Sequence, residues 1–167
     1  MALTLVRHTR PSTQGVCYGR SEVPLAPGFA AAAVALAARL PPAPIVSSPL
    51  GRCRRLAEAL AAAHGTPVRI DPRLTEIDFG AWGGRPWDAI PRAELDAWAA
   101  DLLGARPHGG ESVAMLLART RAALADLPGP AIIVTHAGVI RAALAAAGDE
   151  GAWQRRVPYA TPIPLPG

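Results

Sequence analysis

The chain has 167 residues, 50% of them hydrophobic, which suits a single domain over residues 1–167 with a substantial buried core. No apolar run approaches the roughly 20 residues that cross a bilayer, and the N-terminal "ALTLV" lacks the features of a signal peptide, so we expect a cytoplasmic protein with no membrane partner. The net charge is +4 and all 17 basic residues are arginine, which binds phosphate bidentately, so small phosphate esters and nucleic acid are both compatible partners.

The predicted elements alternate between strands and helices along the chain. In order, they are a strand at 3–6, a helix at 27–40, a strand at 44–48, a helix at 49–65, a strand at 68–70, one or two helices within 87–103, a helix at 109–127, a strand at 130–136 and a helix at 137–148. Residues 71–87 combine acids, aromatics and glycines and predict a shaped loop, while the proline-rich tail 157–167 allows one edge strand. The alternation predicts an α/β layer sandwich around a largely parallel sheet.

Two histidines follow predicted buried strands at equivalent positions. The segment "LTLVRH" ends at His8, and "AIIVTH" ends at His136. Ligands of open α/β sheets bind beyond the carboxyl ends of the strands, so both imidazoles project from the same rim if these strands are neighbours. A lone histidine is usually structural, but this coincidence favours a functional pair.

Arginines are predicted at the same rim. Arg7 directly precedes His8, and Arg52 lies at the start of the helix that follows the second strand, whereas Arg54 and Arg55 fit a solvated helix face. We also expect the backbone N–H groups at helix starts to contribute to anion binding. Guanidinium groups around a nucleophilic imidazole predict a pocket that binds a phosphoryl group and holds it in line for attack.

Phosphoryl transfer to water through a histidine also requires a proton for the leaving alkoxide. Glu76 and Asp78, in the loop segment "LTEIDFG", are the candidates, and a nearby dianionic substrate favours the protonated form of a carboxyl group. We prefer Glu76 and expect Asp78 to hydrogen-bond the turn that carries Gly80 and Trp82. The pattern of residues alone leaves both carboxyl groups open.

Four blocks, in order across nearly the whole chain, resemble the histidine phosphatase superfamily, which includes the phosphoglycerate-mutase-like enzymes. The blocks are "LVRHT" at 5–9, "SSPLGRC" at 47–53, "LTEIDFGAWGG" at 74–84 and "VTHAGVIR" at 134–141. Within the family, "VCYGRSEVPLAPGF" at 16–29 is similar to the alpha-ribazole phosphatase branch, which acts in cobalamin assembly. The resemblance implies a three-layer α/β/α sandwich with a mostly parallel mixed sheet, and no metal or other cofactor.

The resemblance also implies a role for each candidate catalytic residue. His8 is the residue phosphorylated during turnover, and Arg7, Arg52 and His136 hold the transferred phosphoryl group. Glu76 matches the proton donor, in agreement with the preference stated above. The implied enzyme is a phosphoric monoester hydrolase that works through a phosphohistidine.

The chain departs from the commonest family pattern at several positions. Thr9 follows the first histidine where most relatives have glycine, which the favoured branch tolerates. Gln14 stands where many relatives have an asparagine that contacts phosphate, and Arg20 aligns with a loop segment that contributes to substrate binding. The insert at 85–108 is brief, which favours a phosphatase over a mutase that binds a second phosphate.

Several other residues are assigned structural roles. His64 ends a helix before Gly65, and His108 is expected to be an exposed loop residue, with a place at the mouth of the substrate site as the alternative. Trp82, Trp87 and Trp98 are expected to pack in the core or in a lid, with stacking on a substrate base as the alternative. Cys17 and Cys53 are expected to be free thiols, and the scattered histidines and cysteines have no zinc-ligand spacing.

The sequence therefore predicts an enzyme with a small phosphorylated substrate and no nucleic-acid partner, because its arginines are dispersed and not clustered on one surface. The preferred substrate is alpha-ribazole 5'-phosphate. Another small phosphate ester, such as a sugar phosphate, is the alternative, and a non-catalytic protein that binds phosphate or nucleic acid is the other class considered.

Overall fold

The computed structural model describes residues 2–167. Within this range the elements are β1 (Leu3–Arg7), α1 (Phe29–Arg39), β2 (Ile45–Ser47), α2 (Gly51–His64), β3 (Val68–Ile70), α3 (Arg92–Ala100), α4 (Val113–Ala125), β4 (Ala131–Thr135), α5 (Ala137–Ala146) and β5 (Pro162–Leu165). All the predicted strands and helices are present, with their ends moved by a few residues.

The helix ends follow local chemistry. The helix predicted at 109–127 begins at Val113, because the Ser112 hydroxyl accepts a hydrogen bond from the Met115 N–H at 3.1 Å and caps the first turn. Residues 87–103 form a one-turn 3₁₀ helix and then α3, with Pro91 at the N-cap of α3. Gly65 ends α2 in the left-handed conformation that the cap requires, with φ of 64°.

The strands form one mixed sheet in the order β3-β2-β4-β1-β5. The first four are mutually parallel, and β5 pairs antiparallel with β1 at the edge, where its prolines remove no central hydrogen bonds. The predicted parallel core and single edge strand are both confirmed. The carboxyl ends of β2, β4 and β1 therefore meet at one rim.

Helices cover both faces of this sheet. Alternate residues of the central strands point to opposite faces, so Leu5 and Ile133 pack with α4 and α5, whereas Val6 and Ile132 pack with α1 and α2. This is the three-layer α/β/α sandwich that the family resemblance implies. None of the helices within residues 2–167 is long and apolar enough to span a membrane.

Candidate active site

The pairing of β1 with β4 brings the two predicted histidines together. Arg7 and Thr135 are partners in the parallel ladder, so His8 and His136, the next residues along each strand, leave the sheet side by side. Their ring centroids are 5.3 Å apart, and the rings are only 3% and 0% exposed. His8 lines the active-site cavity, whereas His136 lies beside it in the fold but is fully buried and does not line that cavity.

The surroundings of His8 leave one ring nitrogen available for attack. Its Nδ1 lies 2.8 Å from the carbonyl oxygen of Thr9, which can only accept, so Nδ1 carries the proton and Nε2 carries the lone pair. Burial lowers the pKa of His8 to about 3, and the nearby Arg52 and Arg7 act in the same direction. The ring is therefore neutral at pH 7, which is the nucleophilic form.

His136 is fixed from behind by groups of the β2–α2 connection. Its Nε2 lies 2.8 Å from the Ser48 hydroxyl and 3.4 Å from the Cys53 thiol. Burial lowers the pKa of His136 well below its usual value, and the charge of Arg52 adds to the effect. The imidazole is thus neutral and held in one orientation beside His8.

Backbone carbonyls hold both predicted arginines. Arg7 Nη1 donates to the Val157 carbonyl at 2.8 Å, and Arg52 donates to the carbonyls of Ser21 at 2.6 Å and Gly19 at 2.9 Å. Among residues 2–167 neither guanidinium forms a salt bridge within 4 Å. Their positive charges are therefore oriented but not neutralised by a direct ion pair.

Glu76 and Asp78 occupy different environments. The Glu76 carboxylate accepts from the Ile77 N–H at 2.9 Å and from the Gly138 N–H at 3.2 Å, and Glu76 lines the same cavity as His8. Asp78 instead accepts from the Gly80 N–H at 2.9 Å, which is the turn contact predicted for it. Of the two carboxyl groups, the structure brings Glu76 to the histidines.

Four of the predicted catalytic residues line one cavity of about 450 Å³, namely Arg7, His8, Arg52 and Glu76. Much of the remaining wall is apolar and includes Phe79, Trp87, Trp98, Leu102 and Trp153. This arrangement matches a phosphate ester whose organic group is bulky and partly apolar.

The two predicted substrate-binding residues lie in different places. Gln14 lines the cavity, and its side-chain amide donates to the Pro11 carbonyl at 2.9 Å. Arg20 is exposed and does not line the cavity. Of the loop residues predicted to bind substrate, only Gln14 is therefore placed beside the catalytic candidates.

The expectation that His108 is an exposed loop residue is wrong. Its side chain is 3% exposed, its Nδ1 accepts from the Gly110 N–H at 2.9 Å, and its ring packs edge-on against Trp82 with 4.9 Å between centroids. Gly80 and Gly110 allow this packing, because a Cβ on either would overlap the backbone of the other segment. The Gly-Gly pair after His108 was the available signal for this close approach.

All three tryptophans belong to one small aromatic core, as the packing interpretation predicts. Trp82 is fully buried in it. Trp87 and Trp98 are partly buried, pack against it and also line the cavity. Cys17 and Cys53 are free thiols, as predicted.

The start of helix α2 is not a free anion site. The Gly51 N–H lies 3.1 Å from both carboxylate oxygens of Glu22, and the Gly138 N–H of α5 contacts Glu76 as described above. At both of these helix starts, the N–H group that was expected to bind a substrate anion instead donates to a carboxylate of the protein itself.

Sequence reasoning missed Tyr159. Its ring covers the Arg7 guanidinium at 3.9 Å and lies 5.7 Å from the His8 ring. The placement depends on Ala160, which has φ of 44° and donates its N–H to the Arg7 carbonyl at 2.9 Å. Nothing in "VPYATP" signals this turn, because it follows from pairing of the tail with β1.

Several curated proteins are similar to this chain in sequence. A glucosyl-3-phosphoglycerate phosphatase of Mycobacterium tuberculosis is 38% identical over 135 residues, which cover 71% of this chain and 59% of the relative. A probable phosphoglycerate mutase of Klebsiella pneumoniae is 39% identical over 101 residues, or 55% of this chain and 46% of the relative. The matched regions thus span about half the length of these two relatives.

The structural similarity extends over nearly the whole chain. The crystal structure of a phosphoglycerate mutase from Thermus thermophilus superposes with a TM-score of 0.80 at 34% identity, covering 98% of this chain and 92% of the other. The model of the histidine phosphatase superfamily (branch 1) matches residues 3–161, a range that contains every catalytic candidate named above. The chain belongs to the histidine phosphatase superfamily.

Proposed function

We propose that this protein is a metal-independent phosphomonoesterase that works through a phosphohistidine at His8. The observation that supports this most directly is the neutral His8 imidazole with its unprotonated Nε2 in a cavity also lined by Arg7, Arg52 and Glu76. A nucleophile, positive charge for the phosphoryl oxygens and a carboxyl group for proton transfer are thereby present in one site.

The first half-reaction transfers the phosphoryl group to the enzyme. The Nε2 lone pair of His8 attacks phosphorus, the N–P bond forms, and the bond between phosphorus and the ester oxygen breaks. Protonated Glu76 gives its proton to the departing oxygen, and the alcohol leaves. Arg7 and Arg52 stabilise the charge on the transferring group. For His136, whose ring centroid lies 5.3 Å from that of His8, a contact with the phosphoryl oxygens rests on the family resemblance, because the residue is fully buried and does not line the cavity.

The second half-reaction returns the enzyme to its starting state. Water attacks phosphorus while the Glu76 carboxylate takes one of its protons, the N–P bond breaks, and inorganic phosphate leaves. Glu76 is again protonated and Nε2 again carries a lone pair. The guanidinium groups supply the positive charge that a metal ion supplies in other phosphatases, so the cycle requires no metal.

We further propose alpha-ribazole 5'-phosphate as the substrate, in cobalamin biosynthesis. The similarity of residues 16–29 to the alpha-ribazole phosphatase branch supports this assignment. The aromatic wall adds support, since Trp87 and Trp98 line the cavity and offer flat surfaces for a benzimidazole base.

A second candidate is a sugar phosphate or a similar small ester. The likeness to a glucosyl-3-phosphoglycerate phosphatase favours it, and Arg141, which also lines the cavity, can pair with a carboxylate on such a substrate. The short insert at 85–108 favours hydrolysis over the mutase reaction named for other relatives.

The chemistry is tested with p-nitrophenyl phosphate in the presence of EDTA. We expect activity to survive chelation, to vanish in His8→Ala and to persist in His64→Ala, a matched control whose ring contacts the Ala37 carbonyl at 2.9 Å. Wild-type activity in His8→Ala would overturn the assigned nucleophile. The measured hydrolysis would then come from another residue or from a contaminating phosphatase, and the second case would favour a non-catalytic protein that binds phosphate.

The substrate is tested with a panel that includes alpha-ribazole 5'-phosphate and several sugar phosphates. We expect the highest kcat/KM for alpha-ribazole 5'-phosphate, and a fall of about tenfold for that substrate alone in Trp98→Leu, the size of a lost aromatic contact. A sugar phosphate with the highest kcat/KM, unaffected by Trp98→Leu, would support the second candidate instead.

A further inference from the structure

A second cavity, of about 480 Å³, lies directly beside the active site. Arg7, Arg141 and Tyr159 line both cavities, so the two share a wall. The remaining polar lining of the second cavity includes Arg10 and Arg156, which do not line the first. The mechanism proposed above leaves this second cavity without a role.

The charge of this cavity is one-sided. Arg7, Arg10, Arg141 and Arg156 line it, and none of the described acidic residues does. Within residues 2–167, none of these four forms a salt bridge within 4 Å. Adjacent guanidinium groups without carboxylate partners repel one another and create a site that favours a multiply charged anion.

A buried hydroxyl group in the same cavity also points to a ligand. Thr9 lines the cavity and is only 4% exposed, yet its Oγ1 has no hydrogen-bond partner among the described residues. The buried Nε of Arg7 also lacks a partner there. Buried polar atoms are nearly always paired, so an unpaired atom in each of two residues that line this cavity favours an acceptor supplied from outside the chain.

We propose that this cavity is a second oxyanion site of the phosphate class. Several forked guanidinium groups and a hydroxyl group suit a tetrahedral anion with many acceptor oxygens better than a planar carboxylate. The anion has two possible sources with the same chemistry, which are free inorganic phosphate and a second phosphate group on a substrate.

The shared wall couples the two sites. Arg7 contributes its charge to both, and the Tyr159 ring that covers it at 3.9 Å also lies 5.7 Å from His8. An anion in the second cavity therefore takes part of the positive charge that the phosphoryl group in the active site needs. Each anion weakens the binding of the other, and the effect is reciprocal.

Calorimetric titration with inorganic phosphate tests the site without requiring turnover, so its result is independent of the proposed catalytic function. We expect two phosphate ions per wild-type chain and one in Arg10→Gln/Arg156→Gln, or a weakening of the second site by about tenfold or more from the loss of two charged donors. Arg39→Gln/Arg121→Gln, two exposed arginines outside both cavities, removes the same charge and should keep both sites.

Kinetics then separates the two sources of the anion. If free phosphate is the ligand, phosphate at the second site raises the apparent KM only to a limiting value, because it weakens substrate binding without blocking it, and Arg10→Gln/Arg156→Gln removes that partial component. If a substrate group is the ligand, the same variant raises KM for fructose 1,6-bisphosphate by about tenfold relative to fructose 6-phosphate. A single phosphate site in the wild type, or two unchanged sites in the variant, would overturn the proposal.

Discussion

Glu76 illustrates how much of the site depends on the placement of one carboxyl group. Its oxygens bind the N–H groups of Ile77 and Gly138, at 2.9 and 3.2 Å, and it lines the cavity that contains His8. Asp78, two residues away, is occupied by the Gly80 turn. The sequence favoured Glu76 but could not exclude Asp78, because the two differ only in which way the loop turns.

The first prediction concerns this carboxyl group. Glu76→Gln should lower kcat for an alkyl phosphate by about 10² to 10⁴, the usual contribution of a general acid, and should affect p-nitrophenyl phosphate much less because its leaving group needs little protonation. Steady-state kinetics with both substrates measures the ratio. Asp78→Asn serves as the control and should leave the ratio unchanged, whereas equal losses on both substrates in Glu76→Gln would argue against the acid role.

The second prediction concerns the buried His8. The pKa of His8 is about 3 in the folded chain and 6.5 in the unfolded chain. Between pH 3 and pH 6.5, therefore, His8 is protonated in the unfolded chain but neutral in the folded chain. Stability from this group is therefore complete above pH 6.5 and is lost as the pH falls toward 3. Lowering the pH from 7 to 5 should cost about 2 kcal/mol of unfolding free energy through His8 alone.

Urea unfolding at pH 7 and pH 5 measures this effect. His8→Gln should lose about 2 kcal/mol less than the wild type over this interval, because glutamine does not titrate. His64→Gln is the matched control, since His64 is half-buried at the end of α2, and it should keep the wild-type difference. An identical pH dependence in His8→Gln would mean that the His8 ring is not held neutral by burial.

At the scale of elements, the sequence predicted most of what positions the site. Strand periodicity located β1 and β4, and their parallel pairing then places His8 and His136 together without further information. The sequence could not predict how irregular segments return to the site. The left-handed Ala160 depends on pairing of the tail with β1 and leaves no local pattern, and the only local signal for the burial of His108 is the Gly-Gly pair that follows it.

The third prediction concerns the start of α5. A Cβ at Gly138 would overlap the Glu76 carboxylate, so Gly138→Ala must displace the proposed proton donor. We expect kcat for an alkyl phosphate to fall by about 10²-fold, the effect of a displacement of roughly 1 Å. The unfolding free energy should be unchanged or higher, since alanine favours the helix.

The control for this substitution is Gly151→Ala, where the nearest atom, Asp149 Oδ1, is 3.5 Å from the added Cβ. This variant should keep wild-type kinetics. Full activity in Gly138→Ala would show that the contact between Gly138 and Glu76 does not matter for turnover.

The whole molecule carries a net charge of +4, and its cationic groups include those of the two adjoining cavities. Such a positive field attracts anionic substrates from a distance. Added salt shortens the range of this attraction, because the Debye length falls from about 30 Å at 0.01 M to about 8 Å at 0.15 M. The charge is therefore expected to act on capture of the substrate more than on the chemical step.

The fourth prediction follows from this field. Between 0.01 and 0.15 M sodium chloride, kcat/KM for a phosphate monoester should fall by about threefold to tenfold, while kcat at saturating substrate should change by less than about twofold. Initial rates across a salt series measure both quantities. Equal decreases in kcat and kcat/KM would indicate that salt acts on the catalytic groups themselves.

The central claim is that His8 carries the phosphoryl group during turnover. Rapid quenching under alkaline conditions, which preserve phosphohistidine, followed by peptide mass spectrometry tests it directly. We predict one phosphoryl group on the peptide that contains His8, formed before steady state and absent from His8→Ala. A phosphoryl group on another residue, or turnover at the wild-type rate in His8→Ala, would contradict the account.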